Sequence, residues 1–148
     1  MLVRDVMSTG VLTVRADDAV REVVIRMLSR HCGAIPVVED DDVLIGLVAV
    51  RDVLLPLYPN FGDYMHDNVA GRDFVAMESA YTGILERRVD DIMTRHPLTV
   101  SADDPILKAA SYMGLKNFRR IPVVDGTRLV GMISIGDINR ELFFGVGR

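Results

Sequence analysis

The sequence predicts a mixed α/β (α+β) fold built from two copies of a β-α-β-β-α unit. The first observation is an internal repeat, because 14 of the 36 residues from 3 to 38 are identical to the residue 86 positions later. The second is that each copy combines an amphipathic helical pattern with short β-rich runs. The third is size, since a repeat of about 50 residues holds too little core to stand alone. We therefore expect the repeats to pack as a pseudo-twofold pair with clefts where they meet.

Each repeat is predicted to begin with a short strand and a helix. The strands cover residues 12–14 and 98–100. The pair Asp17 and Asp18 is expected to cap the first helix, and Asp104 the second. Pro105 is expected at the first helical position of the second repeat. Apolar residues at helical spacing complete the pattern, namely Val20, Val23, Val24, Met27 and Leu28 in the first repeat and Ile106, Ala109, Ala110 and Met113 in the second.

The remainder of each repeat is predicted as two strands and a closing helix. In the first repeat the strands are residues 35–38 and 44–50, separated by an acidic turn. The second repeat has the same pattern, and its turn falls at residues 125–128. The closing helices are expected to begin near Asp52 and Asp137.

These patterns divide the chain into two repeats, a connector and a tail. The connector holds five of the nine aromatic residues, and its second half has the apolar spacing of a helix. Its aromatic side chains, Phe61 and Tyr64 among them, either cap the core or extend a dimer interface or partner site. The predicted segments are residues 1–53 for the first repeat, 54–88 for the partly helical connector, 89–142 for the second repeat and 143–148 for the tail.

Composition argues against several functional classes. The net charge is −4 and the isoelectric point is about 5.3, which disfavours attraction to nucleic acid. No apolar stretch approaches the roughly 20 residues that cross a bilayer, so no membrane span is expected. The single cysteine, Cys32, fits a reducing, cytoplasmic environment. We find no pattern typical of a metal site or a catalytic group, and we expect neither a cofactor nor enzymatic activity.

The residues around Asp137 are the best candidates for a ligand site. Ser134 ends a predicted strand and Asp137 begins a helix, where free N–H groups favour an anion. The carboxylate could accept both hydroxyls of a ribose, the serine could donate to a phosphate, and Gly136 would allow close approach. The alternative is that Ser134 and Asp137 form an ordinary capping pair.

The repeated motifs resemble those of a tandem pair of CBS domains, also called a Bateman module. The pattern is Val-x-Asp-Val-Met, then Leu-Thr-Val, then Ile-Pro-Val-Val, then Gly followed by two apolar residues, Ser and a final Asp. It occurs twice and covers about three quarters of the chain. The resemblance implies a regulatory module that binds AMP, ADP, ATP or S-adenosylmethionine in clefts between the repeats. It also implies a homodimer, and a separate target protein is expected.

The resemblance also implies further site residues. Residues before the Ile-Pro-Val-Val strand would meet phosphates, which selects Arg119 and Arg120, and strand alternation favours one of the two over both. Their counterparts Gly33 and Ala34 are small and would leave room for a base or a backbone contact. The family borrows residues across repeats, which places Ser8 and Leu12 with Asp137. Thr94 and Leu98 would then join Asp52 in a second, weaker cleft.

Two hypotheses from different classes follow. The leading one is a sensor in which an adenine nucleotide or S-adenosylmethionine shifts the conformation that a partner recognises. The alternative is a structural dimerisation module with degenerate clefts. The two clefts should differ in either case, because Ala49 stands where the second repeat has Ser134.

Overall fold

The computed structural model describes residues 1–58 and 73–146, the last without its side chain. The predicted aromatic residues Phe61 and Tyr64 therefore lie outside the described residues. Mixed helix and strand content confirms the predicted fold class. The helices are α1 (Val3–Val6), α2 (Val20–Arg30), α3 (Val50–Leu54), α4 (Phe74–Leu85), α5 (Val89–Ile92), α6 (Ile106–Lys116) and α7 (Ile135–Val146). The strands are β1 (Ala34–Glu39), β2 (Val43–Ala49), β3 (Thr94–Arg95), β4 (Val100–Ser101), β5 (Arg120–Asp125) and β6 (Arg128–Ser134).

The described chain divides into two compact units, and both combine segments from different parts of the sequence. Unit 1 contains residues 1–13, 38–45 and 96–148, and unit 2 contains residues 14–37 and 46–95. The amino-terminal segment with α1 thus belongs to the unit that holds most of the second repeat. The segment with α5 belongs to the unit that holds most of the first.

Unit 1 is built around the β5–β6 hairpin. The two strands pair antiparallel, and β4 pairs parallel to β5. Ile121 and Ile133 face each other in this register and are buried against the helices. Val3 of α1 is fully buried in the same cluster. The remaining core residues are Val100, Ile106, Ala109, Met113, Val123 and Ile138.

Unit 2 has a similar arrangement, and it holds residues 34–37 of β1 and 46–49 of β2, since residues 38–45 belong to unit 1. Strands β1 and β2 are hydrogen-bonded neighbours, and Gly46 and Leu47 of β2 pair antiparallel with β3. Val14 forms an isolated parallel bridge with Val37, so the strand predicted at residues 12–14 is reduced to one pairing residue. Val89 of α5 is fully buried, as Val3 is in unit 1.

The predicted helix caps at Asp18 and Asp104 are wrong by one residue. Helix α2 is preceded by Ala19 and α6 by Pro105, both with extended backbones. The two carboxylates point backwards instead, since Asp18 Oδ2 accepts from Arg15 N–H at 2.8 Å and Asp104 Oδ2 accepts from Ser101 N–H at 2.9 Å. Each aspartate therefore fixes the turn before its helix and not the first helical turn itself.

Within residues 1–58 and 73–146 we find no helix with the length and apolar character that a membrane span requires. Helix α4 forms the second half of the connector, and Asp73 caps it by accepting from Ala76 N–H at 3.1 Å.

Candidate functional site

The amino-terminal segment carries Ser8 to the edge of β6 in unit 1. Ser8 N–H donates to Met132 O at 2.8 Å, and Met132 N–H donates back to Ser8 O at 3.0 Å. This reciprocal pair forms an antiparallel bridge two residues before Ser134. The structure therefore brings Ser8 next to the strand that ends at the predicted site.

A glycine in the middle of β6 makes this approach possible. A Cβ at Gly131 would lie 2.7 Å from the Ser8 carbonyl oxygen and 2.8 Å from the Met7 Sδ. Gly46 of β2 has the same role in unit 2, where a Cβ would lie 2.6 Å from the Met93 Sδ and 3.0 Å from the Thr94 carbonyl oxygen. Gly131 therefore leaves room for the segment that contains Ser8, and Gly46 leaves room for the segment that contains Thr94.

Arg120 and Ser134 lie side by side at the end of the β5–β6 hairpin. They are direct partners in the antiparallel register, two residues from the pair Pro122 and Met132. Directly opposed residues project from the same face of a sheet, with Cβ atoms about 4.5–5.5 Å apart. Because Ser8 opposes Met132, the residues Ser8, Arg120 and Ser134 share one face, and Ile121 and Ile133 project from the other.

Asp137 lies in the first turn of α7 and is held by two local bonds. Its N–H donates to Ser134 Oγ at 3.0 Å, so the serine hydroxyl caps the helix. Its Oδ1 accepts from Arg140 Nη2 at 3.0 Å. Within the described residues no hydrogen bond involves Asp137 Oδ2, which leaves one carboxylate oxygen to accept from a ligand. Ser134 thus caps the helix, as the alternative interpretation predicted, and Asp137 still has one oxygen that can accept a hydrogen bond from a ligand.

We call the point where a strand ends and a helix begins a junction; in unit 1 it joins β6 to α7, and in unit 2 it joins β2 to α3. The aspartate of the unit 2 junction makes different bonds. Asp52 Oδ2 accepts from Ala49 N–H at 2.8 Å. Ala49 has no hydroxyl, so it cannot cap the helix with its side chain as Ser134 does in unit 1. Thr94 Oγ1 donates to Asp52 Oδ1 at 3.4 Å, so the structure brings these two predicted residues together. The backbone frame matches that of unit 1, because Val50 N–H donates to Gly33 O at 3.1 Å as Ile135 N–H donates to Arg119 O at 2.9 Å.

Burial raises the pKa of the Asp52 carboxyl above its ordinary value. The hydrogen bonds from Ala49 and Thr94 and the charge of Arg51 act in the opposite direction, and desolvation outweighs them. The ionised carboxylate is thus under-solvated in the folded chain. A ligand that donates hydrogen bonds to Asp52 would recover part of that lost solvation.

The other predicted site residues are dispersed between the units. Arg119 precedes β5 and is exposed, and its carbonyl accepts from Ile135 N–H. Gly136 is exposed in the first turn of α7. Leu12 belongs to unit 1 with Asp137, and Gly33 belongs to unit 2 with Asp52. Leu98 belongs to unit 1 and is therefore in a different unit from Asp52, to which it was assigned. Their roles in binding stay predictions.

Two features of the site escaped the sequence reasoning. Arg140 lies three residues after Asp137, a spacing that places the two side chains on one helix face and that was available in the sequence. Gly46 and Gly131 were visible as a glycine repeated inside two strands, which is the usual mark of a close backbone approach. Among residues 1–58 and 73–146 there is no cluster of side chains that could hold a metal ion.

The chain belongs to the CBS domain family. The family model matches residues 3–57 and 89–143, which confirms the resemblance to a tandem pair. The CBS domain-containing protein YhcV of Bacillus subtilis is 31% identical over 136 residues, covering 92% of this chain and 81% of YhcV. Protein MJ1225 of Methanocaldococcus jannaschii is 28% identical over 140 residues, and the chain spans 42% of its length.

Solved structures share the fold. CBSX2 in complex with AMP superposes with a TM-score of 0.75 at 24% identity, covering 99% of this chain and 98% of CBSX2. CBSX2 is a CBS-pair protein from Arabidopsis thaliana. The CBS domain pair of protein MJ0100, in complex with 5′-methylthioadenosine and S-adenosyl-L-methionine, gives a TM-score of 0.70 at 23% identity, covering 100% of this chain and 98% of the pair.

Proposed function

We propose that this chain is a regulatory module that binds an adenosine-containing ligand, AMP, ADP, ATP or S-adenosylmethionine, and thereby changes conformation or partner binding. The observation that carries the proposal is the grouping of Ser8, Arg120 and Ser134 on one sheet face of unit 1, with Asp137 at the start of the adjoining helix. Hydroxyl and guanidinium donors suit a phosphate, and a carboxylate oxygen suits a ribose hydroxyl. The complexes of CBSX2 with AMP and of MJ0100 with two adenosine derivatives support the same ligand class.

Thermal unfolding of the purified chain with each of the four ligands tests the proposal. A ligand at about one hundred times its dissociation constant should add roughly 2.7 kcal/mol to the free energy of unfolding, which raises Tm. Asp137→Ala should remove the shift caused by AMP, ADP and ATP, because the available carboxylate oxygen is lost. Asp125→Ala, which removes an exposed acidic residue at the end of β5 in the same unit, is the matched control and should keep it. A chain whose Tm responds to none of the four ligands would contradict the proposal.

The second candidate function is a structural dimerisation module with degenerate sites. It is favoured by the bonds from Asp137 N–H to Ser134 Oγ and from Arg140 to Asp137 Oδ1, since both serve the helix itself. This candidate expects no response to nucleotides, and it expects the oligomer to dissociate when Phe61 or Tyr64 is changed.

The family resemblance and the composition support a proposal on the repeat boundaries, oligomeric state, location and target of the module. We propose that residues 1–53 and 89–142 act as the two repeats, that the chain works as a cytoplasmic homodimer, and that its target is a separate protein. Light scattering of the purified chain, with and without AMP, measures whether two copies associate and whether the ligand changes that association. A monomer under both conditions would contradict the dimer.

A further inference from the structure

The two aspartate junctions share a backbone frame but present different side chains to a ligand. The bond from Ile135 N–H to Arg119 O in unit 1 has its counterpart in the bond from Val50 N–H to Gly33 O in unit 2. An acidic residue follows two positions after the donor in both units. The difference therefore lies in the side chains carried by equivalent backbone positions.

At the two strand positions that flank the junction, unit 1 holds two side-chain donors and unit 2 holds none. Arg120 and Ser134, which are directly paired, correspond to Ala34 and Ala49. The Ser134 oxygen already accepts from Asp137 N–H, so its own proton is free to point at a ligand oxygen. A guanidinium and a hydroxyl side by side can both donate hydrogen bonds to a phosphate, whereas two methyl groups can donate none.

The remaining charges strengthen this contrast. In unit 1, Arg140 is paired with Asp137 through the 3.0 Å bond, which leaves Arg120 as an exposed cation on the sheet face. In unit 2, Arg51 is adjacent to Asp52 in the sequence, and its charge lowers the pKa of that carboxyl less than burial raises it. A doubly charged phosphate entering unit 2 would therefore meet a carboxylate without a compensating donor pair.

We propose that the two junctions select different ligand classes. The Arg120–Ser134 site of unit 1 takes a phosphorylated adenosine compound, and the Asp52 site of unit 2 takes an adenosine compound without a phosphate. This inference rests on the function proposed above, because it assumes that both junctions accept adenosine derivatives.

Isothermal titration of the full chain with AMP and with 5′-methylthioadenosine tests the selection. AMP should bind at one site per chain, and Arg120→Ala should weaken AMP by about tenfold to one hundredfold, which corresponds to loss of one charge-assisted hydrogen bond. The same variant should leave the affinity for 5′-methylthioadenosine within about twofold. Asp52→Ala should remove the 5′-methylthioadenosine site. Lys116→Ala, which removes an exposed cation from the end of α6 in the same unit, is the charge control and should keep both affinities.

A gain of binding provides the complementary test. Ala34→Arg combined with Ala49→Ser copies the donor pair of unit 1 into unit 2, and the AMP stoichiometry should rise from one to two per chain. The inference is overturned if the unaltered chain binds AMP at two equal sites, if Arg120→Ala leaves AMP affinity unchanged, or if the double variant stays at one site. If the proposed function itself is wrong, the result differs, because neither ligand would then bind the unaltered chain.

Discussion

At the residue scale, an aspartate that accepts from a backbone N–H three residues earlier recurs through the chain. Asp5, Asp18, Asp91 and Asp104 all make this bond, and Asp52 makes it to Ala49. These five of the 21 acidic residues are therefore structural, because each carboxylate fixes the turn at the start of a helix. Asp137 differs in that Ser134 supplies the cap with its own hydroxyl.

The pH dependence of stability should differ in sign between two of these aspartates. Burial raises the pKa of Asp52, so the folded chain binds more protons than the unfolded chain and loses stability as pH rises through that range. The hydrogen bond from Ser101 and the contact with Lys108 lower the pKa of Asp104, so its contribution is present above the ordinary value and is lost as pH falls. Asp52→Asn should therefore equal or exceed the unaltered chain in stability at pH 7, and Asp104→Asn should fall below it.

Urea unfolding between pH 3 and pH 7 measures both effects. The difference between Asp52→Asn and the unaltered chain should vanish at the acidic end, where the raised pKa leaves the Asp52 carboxyl protonated. The difference for Asp104→Asn should only narrow there, because the lowered pKa keeps that carboxylate ionised below its ordinary value. Asp125→Asn, at the exposed end of β5 in unit 1, is the reference for the loss of one negative charge. An Asp52→Asn chain that is markedly less stable at pH 7 would show that the Asp52 carboxylate is net stabilising.

At the element scale, the two strand-interior glycines are required by clearance and a helical glycine is not. Gly131 has the Ser8 carbonyl oxygen 2.7 Å from where its Cβ would be, and a backbone atom cannot move aside as a side chain can. Gly114 lies within α6, where an added Cβ would have nothing within 4 Å among the described residues. The same substitution should therefore have opposite effects in the two elements.

Alanine replacement of each glycine tests this difference. Gly131→Ala should lower the free energy of unfolding by about 1–3 kcal/mol, the usual cost of overpacking. Gly114→Ala should raise it by about 0.5–1 kcal/mol, because a helix favours alanine over glycine. Chemical denaturation of both variants gives the comparison, and a neutral Gly131→Ala would mean that the segment carrying Ser8 can move away from β6.

The sequence predicted the long helices and the main strands but not every element. Helices α2 and α6 have several turns of periodic apolar residues, and the strands of the β5–β6 hairpin are rich in β-branched residues. Helices α1 and α5 have four residues each, which is too short for a 3.6-residue period to show. The caps at Asp18 and Asp104 were misassigned because a carboxylate near a helix start can bond backwards as readily as forwards.

At the scale of the whole molecule, each unit depends on a segment that is distant in sequence. Val3 and Val89 are fully buried, and each anchors a short helix in the unit that holds most of the other repeat. Periodicity cannot reveal this exchange, because it reports only which residues are buried and not which segment covers them. The family resemblance supplied the expectation that Ser8 belongs with Asp137 and Thr94 with Asp52.

Truncating the two anchors should therefore weaken the chain as core substitutions do. Val3→Ala and Val89→Ala each remove two buried carbon atoms, and each should cost about 2 kcal/mol of unfolding free energy, including the residual cavity. Val75→Ala, at a position with 76% of its surface exposed, is the matched control and should stay within about 0.5 kcal/mol. If the anchors matched this control, the short helices would be dispensable to their units.

The close passage of a backbone over Gly46 and Gly131 has an evolutionary consequence. The clearance at these two points and the single backbone hydrogen bond at each junction do not involve the side chains at positions 33, 34, 119 and 120. Those side chains can drift after a duplication while the architecture survives. A duplicated gene of this kind can thus retain one chemistry in one half and acquire another in the other half by exchanging very few amino acids.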